Sequence, residues 1–361
     1  MNLDHPSDPT PSDAGQPSAH GPDFAPDGWS GLAPLPAWGV IAAEGPDAAS
    51  FLHHQLSNDF ALLGQAEARL AALCNAKGRM LASFIGFKRG PERVLLLCAR
   101  DLLPQTLQHL QRFVLRAKVR LSDASDRCSL WGAVGVAVAA DLPASTWSKL
   151  DAGAQTWVRL PAVAGLGRAL LCVERDMGAH DPALAYAQSE ATGPASGAIA
   201  DQARFQAQAA PLPPAHWDWL QVRSAVVLLS RPLVELLVPQ MLNYESVGGV
   251  SFKKGCYPGQ EVVARSQFRG TLKRRAYLAH CPNTGTGTGS APIAGQAVFH
   301  PSDAEQPCGV VVQAAAHPAG GVDALLSLQT SAADGQTLRL GTPDGAALHV
   351  LPLPYELLAD V

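Results

Sequence analysis

Charge is scarce in this chain. Asp, Glu, Lys and Arg make up 16% of its 361 residues, and their formal sum is −4, with a pI near 6.2. Such a balance exerts no global pull on polyphosphate and argues against indiscriminate nucleic-acid binding. The one basic run, RGTLKRR at 269–275, lacks the interleaved aromatics of RNA-binding sheets and reads as a solvated face, so no direct RNA contact is expected. Paired cysteines are absent too. The seven are odd in number, scattered, and never spaced as CxxC, which excludes a disulfide framework and an autonomous zinc or cluster site. His53 and His54 adjoin on a helical pattern and face different ways, so no metal site is expected from them. No apolar run reaches the roughly 18 residues a membrane helix needs. The chain does not start with a basic segment followed by an apolar one, so neither insertion nor export is expected and the cytoplasm is the default compartment.

What is present is apolar surface in short pieces. Hydrophobic residues are 47% of the chain, enough for a large core and two or three domains. Residues 1–30 are rich in Pro, Ser, Asp and Gly without apolar period, the composition of a disordered tail. Pro46, Ala48, Phe51, Leu52, Gln55 and Leu56 suit a helix after Gly45, and Leu103, Leu107, Leu110 and Val114 suit another. Between them ARLAALCN, MLASFIGFKR and RVLLLCA, bounded by NAKG and RGPE, read as paired antiparallel strands. A second α+β block begins with SLWGAVGVAV and ends near AAPLPPAHWDW, read as a connection. After Gly270, RAYLAHC, GQAVFH, CGVVVQAAA, DALLSLQTS, LRLG and LHVLPLP describe a small antiparallel barrel or sandwich, and NTGTGTGSAPIAG a surface insertion within it. The expected organisation is thus a tail over 1–30, an α+β region over 31–270 whose second module spans roughly 128–212, and a β unit over 271–361.

The least ordinary stretch is FKKGCYPGQEVVARSQFRG, 252–270. Gly255 and Gly259 bracket Cys256-Tyr257-Pro258, and glycines at both ends of a tight loop permit backbone angles and close approaches that a side chain forbids. GQEVVARSQF reads as a helix with Glu261 in its first turn, which places the thiol just before a helix N-terminus, where an anion is favoured. Lys253, Lys254 and Arg265 add positive charge, and the combination is expected to favour a displayed, thiolate-prone sulfur. A small buried cysteine in a glycine-rich turn is the competing reading, since free cysteines are usually buried. Cys74, Cys98, Cys128 and Cys172 lie in apolar runs and are read as core.

The block VPQMLNYESVGGVSFKKGCYPGQEVVARSQFRGTLKRR resembles the signature region of the YgfZ-type folate-binding proteins, relatives of the glycine-cleavage T-protein that assist iron–sulfur cluster assembly. LPAWGVIAAEGPDAASFLHHQLSND, LCNAKGRMLASF, FVLRAKVRL and LHVLPLPYEL resemble further family blocks in the same order, from about Leu35 to Leu357 and most weakly over 140–215. The resemblance implies an α+β, T-protein-like fold: two α+β modules around a central folate cavity plus a C-terminal antiparallel β-barrel. It implies tetrahydrofolate or a derivative as cofactor, with Trp38 and Trp219 near the pterin, although core filling is the ordinary role of tryptophan. Arg223, Lys254 and Arg265 could meet the carboxylates of a glutamate tail, and Gln240 and Asn243 could read the pterin edge. Cys256 and Lys254 are the candidates for chemistry.

The T-protein relatives carry aspartates shortly after a turn resembling NAKG, where a carboxylate steers proton transfer. Here NAKGRMLASF offers Ala82 and Ser83, neither a usable base, so aminomethyl transfer is not expected. A single cysteine cannot hold a cubane cluster, which takes four thiolates. The expected function is therefore support of the assembly, repair or delivery of iron–sulfur clusters to client enzymes, including radical enzymes that modify tRNA, with folate and client or assembly proteins as partners. The alternatives are a non-catalytic folate-responsive regulator and a folate-dependent one-carbon (aminomethyl) transferase.

Overall fold

The structure is a computed structural model that describes residues 24–135, 142–175, 210–268, 272–282 and 291–358. In chain order the first part contains β1 (Gly31–Pro34), β2 (Trp38–Glu44), α1 (Ala48–Gln55), β3 (Ala68–Cys74), β4 (Met80–Lys88), β5 (Arg93–Ala99), α2 (Leu103–Gln111) and β6 (Arg120–Asp123). It continues with β7 (Cys128–Val134), β8 (Lys149–Ala152), β9 (Gln155–Val163), β10 (Leu166–Glu174), α3 (Pro214–Arg223) and α4 (Gln260–Phe268). The last part is all strand: β11 (Arg274–Cys281), β12 (Ala297–His300), β13 (Asp303–Ala316), β14 (Val322–Gln329), β15 (Leu338–Leu340) and β16 (Ala347–Leu351).

The first sheet runs β3-β4-β5-β2-β6 and is antiparallel throughout. Alternate residues of a strand point to opposite faces, and here both faces are dry. Ile41, Ala43, Phe84 and Leu96 pack with Leu52 of α1 and Leu110 of α2, whereas Val40, Ala42, Phe87 and Leu97 face a larger core that includes Trp38, Trp217 and Trp219. Two covered faces account for the unbroken apolar run of RVLLLCA. Gly86 is required by this packing, since a Cβ there would lie 2.6 Å from the Phe60 ring and 2.8 Å from Leu96.

The second sheet runs β1-β7-β10-β9-β8. Helix α3 lies against it: the Trp217 ring covers Gly132 of β7 so closely that a Cβ at Gly132 would be 2.3 Å from the indole. The segment expected to be a connection is therefore a helix from Pro214 on, a proline at the first turn being compatible with helix initiation. The tail is also shorter than expected. Gly31–Pro34 pairs with β7, and Phe24 and Trp29, inside the span read as disordered, pack against Trp219. Composition missed them because two aromatics suffice to anchor a polar segment.

Beyond α3 the chain threads between sheet and barrel through two 3₁₀ turns, Arg231–Leu233 and Pro239–Leu242. The Glu235 N–H donates to the Met80 carbonyl at 2.9 Å, and the Met80 N–H to the Leu237 carbonyl at 2.8 Å. The barrel closes in the order β11-β14-β13-β12-β15-β16, and Leu326, Leu328, Val298, Val311, Leu338 and Leu348 lie in its core. It is tied to the threading segment by a buried ion pair of 2.8 Å between Arg275 and Glu245. The stretch NTGTGTGS of the expected insertion lies outside the described residues.

Candidate functional site

Cys256 is exposed and the other six cysteines are buried, including the four expected in the core. Its loop is held from beneath by Lys254. That side chain is 8% exposed, and its ammonium donates to the Leu56 carbonyl at 2.9 Å and to the His53 carbonyl, at the C-terminal end of α1. A cation belongs there, because the last carbonyls of a helix lack partners and carry the negative end of its dipole. Burial pulls the Lys254 pKa down to about 8, against the upward pull of Asp59 and Cys256. The ammonium also stands 4.6 Å from the centre of the buried Tyr257 ring. The lysine expected to act on a ligand is thus the bolt of the loop.

The same loop is fastened to the NAKG turn. Gly259 has φ +78°, and a Cβ on it would lie 2.3 Å from the Asn75 carbonyl and 2.7 Å from Gly78 Cα. Gly78, at φ +71°, meets Val262 of α4 in turn. Asn75 orders its turn by accepting the N–H groups of Lys77 and Arg79 at 2.9 and 3.0 Å. Two glycine motifs 180 residues apart are therefore a single backbone-to-backbone contact, which neither motif discloses alone. His53, whose ring nitrogen Nε2 faces Gly255, holds Asp59 through Nδ1 at 3.0 Å. Burial raises the Asp59 pKa, but the Leu62 N–H and the His53 ring outweigh it and hold the carboxyl below its ordinary value.

Trp219 lies elsewhere and is 1% exposed. Its indole N–H donates to Asp323 of β14 at 2.8 Å, and the same carboxylate takes the His280 ring at 2.7 Å and Arg223 at 3.6 Å. Phe24, Trp29 and His317 meet the indole at centroid distances of 5.5–5.7 Å, nearly edge-on, and the Arg223 guanidinium lies 5.8 Å from its centre. Asp323, His280, His317, Phe24 and Trp29 carried no sequence signal of this cluster, because Asp323 is 104 residues from Trp219.

The remaining residues divide. Trp38 begins β2, 9% exposed, in the same core as Trp219. Gln240 is fully buried and donates to the Val263 carbonyl of α4 at 2.6 Å, while its Oε1 has no partner among the described residues. Asn243, at φ +56°, donates to the Ala276 carbonyl and the Tyr355 hydroxyl and accepts the Ala276 N–H. The Asn243 amide thus clips the threading segment to β11. Arg265 is exposed on α4, apart from the Trp219 cluster and facing a cleft of its own. Ala82 and Ser83 are buried in β4, with the Ser83 hydroxyl accepting the Leu229 N–H at 2.8 Å.

Two mixed α+β layers followed by a closed antiparallel barrel define the class: this is the fold of the glycine-cleavage T-protein. The aminomethyltransferase T of the glycine cleavage system from Bartonella henselae shares it with a TM-score of 0.63, over 91% of this chain and 86% of that one, at 18% identity. In sequence the chain is similar to proteins named tRNA-modifying protein YgfZ. It is 29% identical over 339 residues to that of Cronobacter sakazakii, covering 90% of this chain and 93% of the relative, and 27% identical to that of Yersinia enterocolitica, covering 91% and 93%. No protein-family model matches the chain.

Proposed function

We propose that this protein is a tetrahydrofolate-binding factor in tRNA modification, and that it supports assembly, repair or delivery of iron–sulfur clusters to client enzymes, radical tRNA-modifying enzymes among them, through Cys256. The observation that carries the reading is the setting of the thiol: one exposed sulfur out of seven, on a loop bolted to α1 by Lys254 and laid on the NAKG turn at Gly259. Such rigidity around an accessible side chain suits a group that must meet a partner in one orientation. The names of the relatives and the T-protein fold support the tRNA and folate parts of the reading.

The residues present fit a folate in part. The orphaned Oε1 of Gln240 is a buried acceptor able to take a pterin N–H, and Arg223 keeps a solvent-facing edge for a carboxylate. The indole N–H of Trp219 is already held by Asp323 and its ring is covered by Phe24, Trp29 and His317, so this residue offers a pterin no free donor. Folate would supply a one-carbon carrier. The chain's own residues bind and orient it, and β4 has no carboxylate to move a proton at its aminomethyl centre.

Titration with tetrahydrofolate should quench tryptophan fluorescence, less so in Trp38→Phe and Trp219→Phe. In cells lacking the native protein, Cys256→Ser should bind folate normally yet fail to restore client activity. Equal restoration by both forms would remove the thiol from the function, and absence of quenching would remove the folate.

A further inference from the structure

A cleft of about 850 Å³ lies between α4 and the barrel, and none of the residues of the Trp219 cluster lines it. Its walls carry Arg265 from α4 and Lys273 and Arg274 from the entry to β11, and among the described residues no carboxylate lines it. Among the described residues none of these three cations makes an ion pair; the one polar contact is a 3.4 Å bond from Arg274 to the Cys308 carbonyl. Arg89, Arg93, Arg120 and Arg275, by contrast, are each held by a carboxylate. Three unpaired like charges around one depression repel each other, and an anion relieves this. The net charge of −4 is a sum over the whole chain and does not describe this surface.

The rest of the lining says which anion. Val238, Met241 and Leu272 contribute apolar surface, and Thr330 and Ser331 contribute hydroxyls. Ribose and base faces can lie on apolar surface while phosphates take guanidinium and hydroxyl donors. An oligoglutamate would use the same cationic and hydroxyl donors but has only short methylene stems to lay on Val238, Met241 and Leu272. We propose that this cleft binds the phosphodiester backbone of single-stranded RNA. The choice of an RNA strand over a free nucleotide rests on the tRNA-modification reading above; the anion site rests on the cleft alone.

The test is fluorescence anisotropy of a short labelled single-stranded RNA with the full chain, at several salt concentrations. Binding is expected with a log–log salt slope of about −2, as for roughly three single-strand phosphate contacts. Lys273→Glu combined with Arg274→Gln should weaken it on the order of tenfold or more. Arg265→Glu with Lys273→Glu, both exposed, repeats the test should the change at Arg274 disturb the barrel. ATP and oligoglutamate at equal charge concentration should not displace the RNA. Displacement by ATP would assign the cleft to a free nucleotide and displacement by oligoglutamate to a folate tail, and either would overturn the proposal. No anisotropy change, or variants that bind as the wild type does, would overturn it too. Tetrahydrofolate quenching on the same wild-type sample reports separately on folate, so the two readings fail independently.

Discussion

The loop of Cys256 and the cage of Trp219 are built alike and finished differently. Both join residues far apart in sequence, and both rest on a buried ionic group: Lys254 beneath the loop, Asp323 within the cage. In the loop the ionic group directs its hydrogen bonds to main-chain carbonyls, and the distinctive side chain, the thiol, is left outside. In the cage Asp323 binds the indole itself, and the indole is closed over by Phe24, Trp29 and His317. Anchoring through backbone leaves a side chain free to react; anchoring through the side chain commits it to structure.

The contrast predicts an order of damage. Asp323→Ala should be worst, about 3–5 kcal/mol by urea unfolding, because it strands the buried donors of Trp219 and His280 together. Gly259→Ala should follow at about 2–4 kcal/mol, from a disfavoured φ and an overlap with the Asn75 carbonyl, and should detach the thiol loop while leaving the cage intact. Lys254→Met should cost about 1 kcal/mol at neutral pH through two carbonyls left unpaired. Its pH dependence is the sharper readout. The folded pKa of Lys254, about 8, lies below its ordinary 10.5, so between these values the unfolded chain holds the extra proton. Wild-type stability should therefore rise relative to Lys254→Met as pH increases through that window; a flat difference would show that burial does not lower the pKa of this lysine. Cys256→Ser should be smallest, within about 0.5 kcal/mol. A thiol reagent should titrate one rapid cysteine in the native wild type and none in this variant. A second rapid thiol in the wild type would erase the distinction between loop and core.

Periodicity made much of the fold legible. The helices at Ala48–Gln55 and Leu103–Gln111, the three hairpin strands between them and all six barrel strands stand where alternation and turn residues put them. The exposed Cys256 was legible for a local reason, the two glycines flanking it. What failed was non-local. Pro-rich PLPPAHWDW gave no hint that Trp217 would seat a helix on Gly132, and the polar composition before Gly31 hid the anchoring of Phe24 and Trp29. Lys254 was singled out for its charge beside the thiol and Asn243 through the family resemblance, and neither route discloses a structural anchor. Their actual partners, the carbonyls of His53, Leu56 and Ala276, are backbone groups that no side-chain pattern encodes.

The bonds from Lys254 to His53 and Leu56 span 201 and 198 residues of chain. Contacts of such separation form late, after the intervening modules have condensed. A ribosome-bound chain can therefore complete the first sheet well before the Lys254 loop closes upon it. The loop gains its anchor only once α1 has formed, and a chain in which Lys254 has not reached α1 leaves the segment around Cys256 untethered there.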